Sequence, residues 1–140
     1  MFNGQFNLKK APELPATTTS SYCYENMFYG CTSLTKAPSK ISAATMSSYC
    51  SRNMFYGCTS LTKAPELQAT KLNFGCCRTM FSGCTSLSSV TVHFKTWPTG
   101  TQLNNWLSGV APTGIFRCPA ELPDERGNGR IPEGWTKVDL

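Results

Sequence analysis

Residues 25–38 read ENMFYGCTSLTKAP, and residues 52–65 read RNMFYGCTSLTKAP. The block returns more loosely as MFSGCTSL from Met80 and as MFNGQFNL from Met1, so four copies follow one another at spacings of 26, 27 and 26 residues. A fixed period of this length restricts the fold more than any property of composition. One such unit cannot bury its apolar side alone. Successive units must stack and share a core, so stability comes from contacts between neighbours.

The last copy shows its strand most plainly. From Leu87 it reads LSSVTVHF, with Leu87, Val90, Val92 and Phe94 apolar and Ser, Thr and His between them. Alternation of this kind predicts a half-buried strand. By alignment Leu8, Leu34 and Leu61 match Leu87, and Ala11, Ala37 and Ala64 match Val90. Leu14, Ile41 and Leu67 supply the next inward column, and Thr19, Met46 and Leu72 a further one. Pro12, Pro38 and Pro65 are expected to point outward. Proline lacks the N–H that a central ladder needs, so these strands must be short or bulged at the Ala-Pro step.

The stretch SYCYENMFYGC predicts a short helix. Cys23, Met27 and Cys31 stand at i, i+4 and i+8, as do Cys50, Met54 and Cys58, and again Cys76, Met80 and Cys84. Ser20 or Ser21 suits the N-cap and Gly30 the stop. Helices of about two turns do not survive alone, so packing must hold them. The expected fold is therefore an α/β repeat solenoid. Short strands stack into one sheet, with short helices on the opposite side. Its core columns are Leu8, Leu34, Leu61 and Leu87; Phe28, Phe55 and Phe81; Cys31, Cys58 and Cys84; and Cys23, Cys50 and Cys76.

Residues 1–94 divide into copies 1–26, 27–53, 54–79 and a partial 80–94. Residues 95–140 are expected to form a capping module, with a small separate binding domain as the alternative. That segment carries a predicted short helix over residues 101–108, closed by Gly109, a strand at GIFRCP, a turn-rich PDERGNGRIPEG and a final strand at WTKVDL. Trp97, Trp106, Ile115, Phe116 and Trp135 are suited to covering the last coil.

A period of this length with leucine at a fixed place lies in the range of leucine-rich repeats. More specifically, Phe28-Tyr29-Gly30-Cys31-Thr32-Ser33-Leu34, with the matching runs from Phe55 and Phe81, resembles the BspA-like leucine-rich repeats of bacterial surface proteins, whose pattern is roughly A-F-x-x-C-x-x-L-x-x-I-x-[IL]-P. The likeness covers residues 1 to about 94. Met stands where that family usually has Ala, and Ala-Pro replaces Ile-x-Ile in three of four copies, which bears on strand length. The resemblance implies a leucine-rich-repeat fold and a binding or adhesion role, outside the cell or on a phage particle.

The cysteines form two columns of three, with Cys77 and Cys118 outside them. Like cysteines in adjacent coils fall near disulfide range, but a column of three cannot pair completely. Buried free thiols acting as apolar filler are the preferred reading, with Cys77 and Cys118 as the exceptions. Zinc fits poorly: the one histidine is His93, and no cysteine pair has ligand spacing. A Cys–His nucleophile, a fixed pair of carboxylates and a glycine-rich phosphate loop are all missing from the pattern, so the chain does not read as an enzyme and implies no cofactor.

Net charge is +5, spread over single lysines and arginines rather than a dense stripe, which argues against nucleic acid. No apolar run is long enough to span a membrane. MFNGQFNLKKAP does not read as a signal peptide. Because the chain opens in mid-pattern, the N-terminal coil is expected to expose an edge through which copies could associate. The strand face is the expected binding face, with Lys10, Lys36, Lys63, Ser89, Thr91 and His93 as candidate contacts for a protein or acidic glycan. The alternative is a structural spacer with no ligand of its own.

Overall fold

The computed structural model describes residues 2–140; Met1, which opens the first copy, lies outside them. Among the described residues there are seven short strands: β1 (Lys40–Ile41), β2 (Thr45–Met46), β3 (Glu66–Leu67), β4 (Lys71–Leu72), β5 (Ser89–Thr91), β6 (Gly114–Cys118) and β7 (Trp135–Asp139). They form three small parallel sheets, ordered β1-β3, β2-β4 and β5-β6-β7. Among the described residues there is no helix. This overturns the expected α/β repeat solenoid of leucine-rich-repeat type, whose helices were to lie opposite one continuous sheet. It follows that no helix is long and apolar enough to cross a membrane among the described residues.

The hydrogen bonds explain why the expected helices are missing. In residues 20–31 alternate amides close local turns: Cys23 N–H donates to Ser20 O at 3.2 Å, Met27 N–H to Tyr24 O at 3.1 Å and Cys31 N–H to Phe28 O at 3.1 Å. The amides between them point sideways into the next copy. Tyr24 N–H donates to Cys50 O at 2.7 Å, Phe28 N–H to Met54 O at 2.8 Å and Gly30 N–H to Tyr56 O at 2.8 Å. An α-helix would turn its amides along its own axis and leave the copies joined by side chains alone. Here half of the donors bind copy to copy.

This backbone needs a left-handed residue at every fourth position. Tyr22, Asn26 and Gly30 have φ of 63°, 56° and 71°, and Tyr49, Asn53 and Gly57 repeat them at 55°, 56° and 72°. Asn and Gly are the residues that accept this region most readily. A four-residue repeat of this kind places Cys23, Met27 and Cys31 on one side just as a helix would. The helical spacing in the sequence was real, but its cause was a different backbone.

Packing follows the same stacking. Phe2, Phe28, Phe55 and Phe81 lie nearly parallel, with successive ring centroids 5.3, 5.2 and 5.4 Å apart. Leu34, Leu61 and Leu87 are fully buried, as are Met54, Met80, Cys31, Cys50, Cys58, Cys76 and Cys84. Leu8 and Cys23, in the outer copies, are only partly buried against this core. Two expectations about side-chain direction are corrected. Pro38 and Pro65 are buried rather than outward, and only Pro12 is exposed. Pairing resumes just after these prolines, at β1 and β3, and a buried proline leaves no amide without a partner. Ile115 is 38% exposed on β6, so it covers nothing, whereas Trp97, Trp106, Phe116 and Trp135 are buried.

The turn pattern passes from the fourth copy into residues 95–140. Thr79 N–H donates to Asn104 O at 2.9 Å, Phe81 N–H to Trp106 O at 2.9 Å and Gly83 N–H to Ser108 O at 2.8 Å. Asn105 and Gly109 take the left-handed places at φ 54° and 74°. The stretch predicted as a helix over residues 101–108 is thus another turn run, with Trp106 standing where the earlier copies have Met.

Candidate functional site

The repeated thiols are held away from chemistry. All eight cysteines are free. The Cys31, Cys58 and Cys84 Sγ atoms donate to Phe2 O, Phe28 O and Phe55 O at 3.0, 3.1 and 3.0 Å. Each thiol therefore ties its own copy to the preceding one as well as filling space. Burial pushes the Cys50 and Cys84 thiols up to about 12, and Cys58 upward by the same cause. Cys77 is raised well above its ordinary value, first by its contact with Cys76, whose Sγ lies 3.7 Å away, and then by burial. Thiols held protonated are poor nucleophiles and poor metal ligands. Among the described residues no cluster of three or more His, Cys, Asp or Glu could hold a metal ion.

The shifts set a pH dependence. An unfolded thiol ionises near 9.0, whereas folded Cys50 and Cys84 ionise near 12. Their folded pKa is raised, so the stability they contribute is fully present below pH 9 and is lost as pH climbs toward 12. Denaturation midpoints should fall steadily above pH 9, and the fall should flatten in a Cys50→Ala/Cys84→Ala variant. A thiol reagent at neutral pH should react with seven or eight groups after unfolding and with at most Cys23, the one that is not fully buried, before it.

The strand side carries the candidate binding groups. Lys10 bridges Lys36 in parallel register, Lys63 bridges Ser89, and Ser89 continues to Ile115 and Thr136 along β6 and β7. Lys10, Lys36 and Lys63 are all exposed, and none takes part in an ion pair among the described residues. They line an open groove of about 460 Å³ together with Glu13, Thr35 and Thr62. Glu13 is the one carboxylate in it. Its two oxygens accept from Ser39 N–H at 3.1 and 3.0 Å, and one accepts from the Ser39 hydroxyl at 2.8 Å. These bonds to Ser39 hold the carboxyl below its ordinary pKa. The carboxylate is thus turned toward the Ser39 backbone, and the groove keeps an excess of positive charge.

The other predicted contacts stand to one side of the groove. Thr91, at the end of β5, is partly buried in register with Arg117. His93 is partly buried, and its Nε2 lies 2.5 Å from Glu66 Oε1. Arg117 was missed in the sequence. It is exposed on β6, and its Nη1 reaches the Ser89 hydroxyl at 3.5 Å. The column of lysines breaks at Ser89, and Arg117 brings a cation back to that place from the next strand.

A second cleft, of about 370 Å³, lies beside Trp106, Asn128 and Arg130 at the far end. Its guanidinium is already engaged. Arg130 Nε donates to Glu125 at 2.8 Å, Nη1 donates to Gly129 O at 3.0 Å, and the group sits 5.3 Å from the Trp97 ring centre. The lysine groove has the free charges and is the better candidate.

No protein-family model, no curated protein and no solved structure matches the chain. Its class is set by its own geometry: a repeat protein without helices among the described residues, its copies hydrogen-bonded side by side, with a basic groove on the strand side.

Proposed function

We propose that this chain is a non-catalytic binding module, and that its strand side binds an anionic protein or glycan through Lys10, Lys36 and Lys63. The observation that carries this reading is the groove itself, which three exposed lysines at the same place in successive copies line together with one carboxylate that is turned aside to Ser39. Like charges on neighbouring strands repel by a few tenths of a kcal/mol per pair, and an anion laid over them relieves that cost. Display outside a bacterial cell or on a phage particle rests on the resemblance to BspA-like repeats. The burial of seven of the eight thiols is compatible with an oxidising setting.

The test is a Lys10→Ser/Lys36→Ser/Lys63→Ser variant. All three side chains are exposed, so its melting temperature should stay within a few degrees of the parent. Binding to glycan arrays or to cells should fall by at least tenfold if each exposed ion pair contributes on the order of 0.5 kcal/mol. An unchanged signal would instead make the chain a spacer that positions other parts.

A further inference from the structure

We infer that the ligand of this groove is a linear acidic polysaccharide lying across the copies, with about one charged sugar per copy, and that Arg117 is the fourth cation of the row. The inference rests on the proposed groove reading and specifies its ligand. The cations stand one to a copy. Lys10, Lys36 and Lys63 occupy the same place in three successive copies, and the Arg117 guanidinium lies at the Ser89 hydroxyl, which holds that place in the fourth. Arg117 is exposed and has no ion pair among the described residues. The row therefore runs along the stacking direction, perpendicular to the strands.

The step of the stack decides between polymers. Successive copies are hydrogen-bonded side by side, which sets a step of about 4.8 Å, and the stacked Tyr29 and Tyr56 rings lie 4.9 Å apart. That is about the length of one pyranose residue in an extended chain. In an extended peptide, side chains on one face recur only every second residue, roughly 6.7 Å apart. An acidic peptide therefore slips out of step with the lysines as it crosses the copies, whereas a uronate or sulfated chain keeps pace. The flexible lysine stems reach charges on either edge of a sugar ribbon, and the Thr35 and Thr62 hydroxyls lie in the same groove. The step between copies is shorter than the Debye length of about 8 Å at physiological salt, so cations carried one to a copy act on one polymer jointly.

Calorimetric titration with oligogalacturonates from dimer to hexamer tests this, with length-matched oligoglutamates and oligothymidylates in parallel. Binding should tighten with each sugar up to the tetramer, by about two- to fivefold per added pair, and change little beyond it. Arg117→Ser should remove the gain between trimer and tetramer, while leaving the dimer unaffected. Raising salt should weaken the tetramer more than the dimer. Oligoglutamate or oligothymidylate binding as tightly as the uronate, with the same length dependence, would overturn the polysaccharide assignment while leaving the anion groove in place. Uronate binding that survives in the triple lysine variant, or the failure of every polyanion to bind at low salt, would sink the groove reading itself. Lys→Gln versions of the same variants, checked by their melting curves, separate loss of charge from loss of fold.

Discussion

Phe55→Ala should cost about 3–5 kcal/mol, a third or more of the roughly 5–15 kcal/mol that holds an ordinary domain folded. Phe55 is fully buried in the middle of the phenylalanine column, between Phe28 at 5.2 Å and Phe81 at 5.4 Å. Truncation removes one ring and two stacked contacts, and leaves a hole that the hydrogen-bonded backbone on either side cannot close. The Phe28, Phe55 and Phe81 amides all donate into the neighbouring copy, which fixes the spacing of the layers. Tyr56→Ala is the control. Tyr56 lies next in sequence and stacks on Tyr29 at 4.9 Å, but it is 37% exposed, so its loss should cost less than about 1.5 kcal/mol. Urea denaturation of the two variants measures the contrast. Equal losses would mean that the stack does not carry the stability assigned to it.

Gly114→Ala should be nearly as damaging, for the opposite reason. Gly114 opens β6, the central strand of the three-stranded sheet. A Cβ placed there would lie 2.6 Å from Ser88 O and 2.6 Å from the buried Trp135 ring. The carbonyl cannot retreat freely, because it accepts the Ile115 N–H at 2.8 Å. Overpacking of this kind costs about 1–3 kcal/mol. Because β6 joins β5 to β7, the loss should appear first at the C-terminal end. Hydrogen exchange should speed up in residues 114–118 and 135–139 before it does in residues 50–61. Protection that falls evenly along the chain would show that the C-terminal sheet does not open separately.

The parts of this protein that were legible in the sequence are those set by repetition. Met27, Phe28, Cys31 and Leu34 recur at fixed spacing, and the copies of each meet in the core because stacked units must place like residues together. Lys10, Lys36 and Lys63 were readable as a row by the same logic. Arg117 was not, because its part in the row comes from a side chain reaching back one strand to Ser89, and no spacing in the sequence encodes that reach. Trp106 was legible as a buried residue, but its place in the methionine column was not, for another reason. The Asn-x-x-x-Gly spacing of Asn26 and Gly30, and of Asn53 and Gly57, returns at Asn105 and Gly109, but the residues between no longer resemble the repeat.

The sequence by itself determined the period, the order of copies and which columns of side chains are apolar. Only the tertiary structure decided what backbone those columns hang on. A spacing of four is satisfied equally by a helix and by a run of turns with a left-handed residue at every fourth place. The choice between them depends on where the alternate amides find carbonyls. In residues 20–31 those carbonyls belong to the next copy, so a short segment that would not hold as a helix alone is held by its neighbour.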